Sequence, residues 1–324
     1  MRPTGRLHLG HLVGALGNWV PLQDKYDCFY FVADWHALTS EYADTSAIRG
    51  NVYDNAADWI GAGLDPEKST FFVQSLVPEH AELYVLLSMV VPVPWLERVP
   101  TYKEQQENLK DKDLSSIGFL GYPLLQTADV AMYDARFVPV GDDQVAHLEL
   151  AREVVRRFNN FFGGDVLVEP EPLLTSFSRL PGLDGGKKMS KSIGNTIHLS
   201  DTPDEVRKKV MSMYTDPKRV RADIPGTVEG NPVFTYHDAF NPNTAEVDDL
   251  KARYRAGKVG DVEVKRKLAD ALNAHLDPIR ERRAGVLAKP DRLKQILFDG
   301  SSRARRVAEE TMTRVRDAVK ISYK

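Results

Sequence analysis

The sequence predicts an α/β protein in which a parallel sheet wrapped by helices is followed by a region of helices. Short apolar runs alternate with longer helical patterns through the first half, which is typical of parallel strands joined by helical crossovers. After Pro181 the strand patterns fade and helical patterns dominate. The charge divides as well: residues 1–150 hold 10 basic and 21 acidic residues, whereas residues 151–324 hold 33 and 25. The two halves are therefore expected to have different partners, with a polyanion favoured for the basic half.

The predicted strands are short apolar runs that end in polar or Gly-containing turns, at residues 28–33, 70–74 and 137–140. Helical patterns lie between them at residues 10–24, 48–61, 78–90, 122–133 and 144–158. In the second half, Thr202-Pro203-Asp204-Glu205 is a capping box that opens a helix. Further helices are predicted at about residues 261–276 and 301–320, the last with one apolar face and many arginines opposite.

The composition, with 42% hydrophobic and 27% charged residues, excludes a wholly disordered or fibrous chain. The one cysteine, Cys28, lies in a predicted buried strand and allows no internal disulfide, which favours a packed thiol and a reducing compartment. The most apolar stretch, residues 83–96, is shorter than the ~20 residues that a membrane span needs. No signal-like apolar core follows Met1. These features predict a cytoplasmic protein.

Ligands of open α/β sheets bind at the carboxyl ends of the strands. Three short segments occupy such positions here: Asp34-Trp35-His36, Gln74-Ser75 and Gly141-Asp142-Asp143-Gln144. For His36, a satisfied structural histidine and a residue that faces a ligand are equally compatible with the sequence.

Two histidines stand three positions apart where a helix is predicted to begin, in His8-Leu9-Gly10-His11. At this spacing both imidazoles lie on one face of the first turn, and Gly10 allows a ligand to approach the backbone. The N–H groups at a helix start favour phosphate, and imidazoles can donate to an oxygen that gains charge as a bond breaks. Taken alone, the tetrapeptide is also compatible with two ordinary surface histidines. A metal site is not favoured, because no partner ligands at the right spacing accompany it.

A second cluster, Lys188-Met189-Ser190-Lys191-Ser192, follows the predicted sheet in a Gly-rich loop. Its two ammonium groups and two hydroxyls can surround a pyrophosphate and stabilise the charge of that leaving group. Nearby glycines would let the loop close and open. A solvated basic linker is the usual interpretation of such a loop, but the presence of both motifs in one chain argues against it.

In this order and position, the two motifs resemble those of class I aminoacyl-tRNA synthetases. Five further segments are similar to the tryptophanyl-tRNA synthetase family, and the similarity extends over essentially the whole chain: Arg2-Pro3-Thr4-Gly5, Ala33-Asp34-Trp35-His36-Ala37-Leu38-Thr39, Leu96-Glu97-Arg98-Val99-Pro100-Thr101-Tyr102-Lys103, Tyr122-Pro123-Leu124-Leu125-Gln126-Thr127-Ala128-Asp129 and Val138-Pro139-Val140-Gly141-Asp142-Asp143-Gln144. The resemblance implies a Rossmann-like catalytic domain at residues 1–192, which ends in the second motif, and a helical tRNA anticodon-binding domain at residues 193–324. It leaves open whether the final helix packs back on the first domain.

The resemblance also implies a reaction in two steps. ATP activates L-tryptophan to tryptophanyl-adenylate with release of pyrophosphate, and the tryptophan is then transferred to the 3′-terminal ribose of tRNA(Trp). His8, His11, Lys188 and Lys191 would be the catalytic residues, with Mg²⁺ sharing the charge of the ATP phosphates. The implied ATP-binding residues are Arg2, Pro3, Thr4, Gly10, His11, Gly141, Asp142, Asp143, Leu180, Lys188, Met189, Ser190, Lys191 and Ser192. The family is homodimeric, and residues 83–100 offer an apolar contact for a second subunit.

A tryptophan side chain needs an acceptor for its indole N–H once it is buried. Asp129 lies in an apolar stretch and matches the family position of that acceptor; a helix carboxylate facing solvent is the alternative. The other implied tryptophan-binding residues are Tyr122, Gln126, Val138, Val140, Gln144 and His36.

Two features depart from the family pattern. The family has a short strand before its Pro-x-Gly segment, whereas Met1 lies almost on that segment here, so either preceding residues supply the strand or the sheet lacks it. Gln126 stands where many bacterial relatives have methionine, which leaves the polarity of the amino-acid pocket open.

Three other functions remain compatible with parts of the sequence. A tyrosine-specific synthetase shares the fold and both motifs and could place a carboxylate against a phenol. A small-molecule nucleotidyltransferase can also use His-x-Gly-His, but it needs neither the second motif nor a basic helical region. An RNA-binding protein without enzymatic activity would be expected to carry degraded motifs, and both motifs here are intact.

Overall fold

The structure is a computed structural model that describes residues 1–100, 102, 115–141, 144–174, 180–185, 189, 194–217, 219 and 221–323. The strands of these residues form two parallel pairs, β1 (Cys28–Val32) with β2 (Ser69–Val73) and β3 (Phe137–Val140) with β4 (Glu171–Leu174). Parallel strands joined by helices confirm the predicted α/β fold. The three predicted strands lie within one residue of their expected limits, whereas the sequence does not predict β4.

The helices described in the first half surround these strands, and they correspond to the predicted helical patterns except for those at residues 34–41 and 93–97, which the sequence does not predict. They are α1 (Leu9–His11), which runs through a π-helical turn (Leu12–Leu16) into α2 (Gly17–Leu22), then α3 (Asp34–Glu41), α4 (Ile48–Ala62), α5 (Glu79–Ser88), α6 (Val93–Glu97), α7 (Ile117–Ala131) and α8 (Val145–Phe162). A 3₁₀ turn, Gln74–Leu76, follows β2 directly.

The second half is helical, as predicted. Its described helices are α9 (Pro203–Met211), α10 (Pro232–Phe240), α11 (Thr244–Arg255), α12 (Asp261–Leu287) and α13 (Pro290–Ala318). Of these, the sequence predicts α9, α12 and α13 individually, but not α10 and α11. The capping box is present at the start of α9, where Thr202 Oγ1 accepts from Glu205 N at 3.3 Å and Glu205 Oε2 accepts from Thr202 N at 2.7 Å. None of the helices in the described ranges combines the length and the apolar character that a membrane crossing requires.

Both long helices extend further than the sequence predicts. α12 continues past Pro278, a residue that normally ends a helix, as far as Leu287. Arg280, just after that proline, is held by the chain before α9, because its Nε donates to Asp201 O at 2.7 Å. α13 begins at Pro290 rather than at residue 301, with proline in its first turn. Tertiary contacts outweigh local propensity at both places.

The long helices pack back on the first half of the chain. On α13, Ala304, Ala308, Met312 and Val315 are completely buried in a cluster that includes Phe72 of β2. α12 packs against α4, and its Arg282 Nε donates to Gly61 O at 2.8 Å. Residues of both halves therefore share the same apolar clusters.

The two strand pairs are separated by a cavity of about 430 Å³, which is lined by Phe29 and Phe31 of β1 and by Val138 of β3. The backbone of Met1 pairs with the β1 edge at one end of this cavity: its nitrogen donates to Phe31 O at 2.6 Å and its oxygen accepts from Ala33 N at 2.8 Å. Cys28 is buried in β1, and this burial raises the pKa of its thiol. The packed thiol agrees with the sequence-based prediction.

Candidate active site

The first histidine motif forms the beginning of α1. His8 is the N-cap residue, and its Nδ1 accepts from Gly10 N at 3.1 Å. In return, His11 Nδ1 accepts from His8 N at 3.2 Å, so that the two imidazoles form a reciprocal capping box. Their ring centroids lie 3.9 Å apart. The sequence places both rings on one face, and the structure has them in contact.

The backbone bonds also determine which ring nitrogen carries the proton. Because Nδ1 of both His8 and His11 accepts a backbone N–H, each neutral imidazole has its proton on Nε2. Both rings thereby have their Nε2–H donor at the start of the helix, whereas the backbone N–H groups of Leu9 and Gly10 are already bonded to Ile197 O and His8 Nδ1.

The chain that follows the second motif lies beside the first motif. Leu9 N donates to Ile197 O at 3.0 Å, and Leu199 N donates to Leu7 O at 3.0 Å, which forms an antiparallel bridge. Within the second motif, Met189 is buried, and a Cβ built on Gly10 would lie 3.4 Å from its Sδ. Residues almost 180 positions apart in sequence therefore form one site.

The segment before the first motif is held by side chains of α3 and α4. Asn51 Nδ2 donates to Pro3 O at 3.1 Å and Asn55 Nδ2 donates to Arg2 O at 3.4 Å. The Arg2 guanidinium donates to Ser40 Oγ. Burial lowers the pKa of Arg2, while interactions with Glu41 and Tyr122 act in the opposite direction. Arg2, a predicted ATP-binding residue, thus interacts electrostatically with Tyr122, a predicted tryptophan-binding residue.

Asp129 lies in α7 and is almost completely buried. Its Oδ1 accepts from Gln74 Nε2 and from His80 Nδ1, both at 2.7 Å, and its Oδ2 lies 2.7 Å from His36 Nε2. Burial by itself would raise the pKa of Asp129, but the charge and hydrogen bonds of the two histidines outweigh it and lower the pKa to about 2. The carboxylate is ionised at neutral pH, and it faces the cavity between the strand pairs.

The other predicted tryptophan-binding residues lie on α7, on β3 and just after β3. Tyr122 is buried on α7, about two helical turns before Asp129, and its hydroxyl lies 3.1 Å from His147 Nε2. Val138 lines the cavity beside Asp129, whereas Val140 is buried against α8. Gln126 and Gln144 are half-buried, and Gln144 N donates to Gly141 O at 2.9 Å at the end of β3.

Several predicted ATP-binding residues lie outside the described residues: Asp142, Asp143, Lys188, Ser190, Lys191 and Ser192. Leu180 is described; it is buried in the apolar cluster that also contains Leu9 and Met189.

Two residues of the Asp129 network differ in how clearly the sequence indicates them. Gln74 is the last residue of a predicted strand, at the end where ligands of open sheets bind, and Gln74-Ser75 is one of the three segments that the sequence places at such positions. His80 lies inside a predicted helix, and nothing in the sequence distinguishes it from a structural histidine.

A parallel α/β fold with His-x-Gly-His at its first helix start, beside Met189 of a Lys-Met-Ser-Lys-Ser sequence, defines a class I tRNA synthetase. The family model of the class I tRNA synthetases (W and Y) matches residues 1–277, and the chain belongs to that family.

Individual proteins that resemble the chain over its whole length are tryptophan enzymes. The tryptophan–tRNA ligase of Treponema pallidum is 49% identical over 323 residues, which cover 99% of this chain and 95% of that protein. The tryptophan–tRNA ligase of Thermotoga maritima is 47% identical over 324 residues, covering 100% of this chain and 98% of that protein. The solved tryptophanyl-tRNA synthetase of Campylobacter jejuni in complex with ADP and tryptophan has a TM-score of 0.88 and 34% identity, and the match covers 99% of this chain and 98% of that one.

Proposed function

We propose that this protein is a tryptophan–tRNA ligase. It activates L-tryptophan with ATP to tryptophanyl-adenylate and pyrophosphate, and then transfers the tryptophan to the 3′-terminal ribose of tRNA(Trp). Family membership over residues 1–277 and high identity to tryptophan–tRNA ligases support the reaction type. The observation that carries the choice of amino acid is the buried, ionised carboxylate of Asp129.

The physical argument concerns the indole ring, whose N–H can donate but cannot accept. A buried anion is the strongest acceptor that a protein can offer to such a donor. A side chain of similar shape without a donor would leave the Asp129 carboxylate incompletely satisfied in a buried site, and so it would be rejected by orders of magnitude. Val138, which lines the cavity beside Asp129, and Val140, on the same strand, flank the ring, while Tyr122, Gln126, Gln144 and His36 surround the rest of the amino acid.

ATP lies over the start of α1. The Nε2–H groups of His8 and His11 donate to its phosphate oxygens, and Gly10 lets the nucleotide approach the backbone. Arg2, Pro3 and Thr4 pass beside the phosphates, Leu180 packs near adenine, and Gly141, Asp142 and Asp143 bind the adenosine. Lys188 and Lys191, with Met189, Ser190 and Ser192 of the same loop, bind the pyrophosphate as it leaves.

The first step needs positioning and charge stabilisation more than covalent chemistry from the protein. The tryptophan carboxylate attacks the α-phosphorus, and the bond to the pyrophosphate oxygen breaks. The histidine N–H groups and the loop lysines stabilise the negative charge that develops on the phosphates. Mg²⁺ enters with ATP as part of the substrate complex, because this ion is typically held by substrate phosphates with few protein ligands.

The basic second half binds tRNA. We assign residues 1–192 to the catalytic domain and residues 193–324 to a helical anticodon-binding domain, whose final helix rests on β2. We also propose a homodimer in which residues 83–100 of both subunits meet; Val85, Met89 and Val93 in this stretch are 47%, 73% and 51% exposed, an unusual exposure for apolar side chains. We also propose that the enzyme lies in the cytoplasm, a compartment that supplies both ATP and tRNA.

The test is ATP–pyrophosphate exchange, measured with the purified protein and each of the 20 amino acids. Exchange with L-tryptophan at least a hundredfold above that with tyrosine is expected. Equal exchange with tyrosine, or none with tryptophan, would overturn the proposal. Asp129→Ala should raise the KM for tryptophan sharply with little change in the KM for ATP, while charging of tRNA(Trp) by the unaltered protein tests the second step.

A further inference from the structure

The two oxygens of the Asp129 carboxylate have different surroundings. Oδ1 accepts two hydrogen bonds, from Gln74 Nε2 and His80 Nδ1, each at 2.7 Å. Oδ2 has one such neighbour among the described residues, His36 Nε2. Since a carboxylate oxygen has two lone pairs in the carboxylate plane, Oδ1 is fully occupied and Oδ2 has room for one more donor. Oδ2 can therefore take up a ligand N–H without the loss of an existing bond, whereas Oδ1 cannot.

The ring of His80 is held at both of its nitrogens. It is completely buried, and its Nε2 lies 2.6 Å from the hydroxyl of Tyr133. An ionised carboxylate cannot donate, so His80 Nδ1 must carry the proton that bonds Asp129. Burial raises the pKa of Tyr133, so its hydroxyl keeps its proton and can pair with Nε2 as a donor or as an acceptor. The His80 ring is therefore held between Tyr133 and Asp129 Oδ1.

The aromatic neighbours of His80 restrict the orientation of its imidazole ring. Its ring lies 5.9 Å from that of Phe31 and 6.1 Å from that of Phe72, so apolar strand residues surround the imidazole. Without the His80 donor, Gln74 alone would hold Oδ1, and the rotation of the carboxylate about its Cβ–Cγ bond would be less restricted. Gln74 adds the second bond that fixes the rotation.

We propose that His80, supported by Gln74 and Tyr133, is a positioning residue for tryptophan specificity, which holds Asp129 so that only Oδ2 is available to the indole N–H. This role rests on the proposed function, in which Asp129 is the indole acceptor. His80 does not touch the substrate; it acts by keeping one acceptor site in one place. Selectivity for the N–H group should therefore depend on the His80 donor rather than on the bulk of its ring.

The experiment compares L-tryptophan with β-(3-benzothienyl)-L-alanine, in which sulfur replaces the indole N–H at nearly the same size. Kinetics of pyrophosphate exchange are measured for the unaltered protein, His80→Leu and His80→Asn. An asparagine amide nitrogen lies close to the position of the histidine Nδ1 and retains the donor to Asp129, whereas leucine retains only bulk.

In His80→Leu we expect the KM for tryptophan to rise about tenfold, with kcat and the KM for ATP changed less than about twofold, and the preference for tryptophan over the sulfur analogue to fall about tenfold. His80→Asn should keep the preference within about threefold of the unaltered protein. Tyr133→Phe, a milder change, should lower the preference by about threefold and keeps the test valid if His80→Leu fails to fold.

His237→Leu is the matched control. His237 is also completely buried and has two partners, Val264 O at 3.0 Å and Asn241 Nδ2 at 3.2 Å, but it lies in α10, outside the Asp129 network. Its replacement should leave the preference unchanged. If His80→Leu and Tyr133→Phe both keep the full preference, or if His80→Asn loses as much of it as His80→Leu, the positioning role is wrong. If the unaltered protein does not prefer tryptophan over the analogue, Asp129 is not the indole acceptor. In that case the part of the proposed function that assigns the choice of amino acid to Asp129 is wrong.

Discussion

Gly300 of α13 lies directly against the carbonyl oxygen of Phe71 in β2. A Cβ atom built on Gly300 would be 1.7 Å from that oxygen and 2.7 Å from the carbonyl carbon. The next residue, Ser301, accepts a hydrogen bond at its Oγ from Val73 N at 3.3 Å. The last helix therefore contacts the backbone of the strand itself, at a distance that no residue with a side chain could allow.

This contact predicts that Gly300→Ala is strongly destabilising. The helix or the strand must move by about 1 Å or more to admit the methyl group, and the free energy of unfolding is expected to fall by about 3 kcal/mol. Urea unfolding measures this change.

Gly285→Ala provides the control, because Gly285 also lies inside a long helix but a Cβ there would meet nothing within 4 Å. That variant should be more stable by about 0.5–1 kcal/mol, since alanine favours a helix. Equal effects at the two positions would mean that α13 does not rest on β2.

The same glycine explains a limit of prediction from the sequence. The apolar face of the last helix is evident from Ala304 onward, but a glycine followed by two serines is a poor helix interior, and the local pattern therefore predicts a start at residue 301. α13 instead begins at Pro290 and runs through Gly300, whose lack of a side chain allows the close approach to Phe71. Such a long-range reason leaves no local pattern.

In the candidate active site, too, some features could be predicted from the sequence and others could not. The position of His8 and His11 on one face of the first turn follows from their spacing, whereas their reciprocal capping bonds come from the structure. An acceptor at Asp129 follows from family position together with the donor chemistry of indole. The three partners of Asp129 come from α3, from the turn after β2 and from α5, and only the fold brings them together. The short β4, which contains Pro172, lacks the β-branched residues that are typical of a strand.

Gly10→Ala is predicted to impair the use of ATP. A Cβ at this position would lie 2.9 Å from two atoms of the His8 ring, closer than side chains tolerate, so the ring must leave its capping position. The Nε2–H donor of His8 then moves away from the phosphates, and kcat/KM for ATP should fall by about tenfold to a hundredfold. Tryptophan binding, measured by intrinsic fluorescence, should change by less than about threefold.

Gly50→Ala is the control for this substitution, because Gly50 lies in α4 and a Cβ built on it would meet nothing within 4 Å. Its exchange kinetics should match those of the unaltered protein. Unchanged ATP kinetics in Gly10→Ala would show that the His8 ring does not contact the nucleotide.

The ion pairs of Arg283 are predicted to hold the two halves of the chain together. Arg283 on α12 donates to Asp58 at 2.6 Å and to Asp54 at 2.7 Å, both on α4, and Asp58 also accepts from Leu7 N at 3.4 Å, just before the first motif. Arg283→Met should lower the free energy of unfolding by about 3 kcal/mol, because it leaves the Asp58 carboxylate buried without its cation.

The double variant Asp58→Asn, Arg283→Met removes that unpaired charge and should be clearly more stable than Arg283→Met alone. Urea unfolding of the two single variants and the double variant gives the coupling energy. If the double variant loses the sum of the two single losses, the pair is not coupled.

The lowered pKa of Asp129 predicts how stability depends on acid. Its pKa is about 2 in the folded protein against an ordinary value of 3.8, so the unfolded chain binds a proton first as the pH falls. The stabilisation from the ionised carboxylate is therefore complete above about pH 5 and is lost as the pH falls toward 2.

The variant Asp129→Asn tests this dependence, because an asparagine side chain does not bind a proton in this pH range. The stability difference between the unaltered protein and this variant should accordingly narrow by about 1 kcal/mol between pH 5 and pH 3, a window below the ordinary pKa of histidine. Urea unfolding at several pH values across this window measures the narrowing, and a difference that stays constant or widens would show that the histidines and Gln74 do not hold Asp129 in its ionised form.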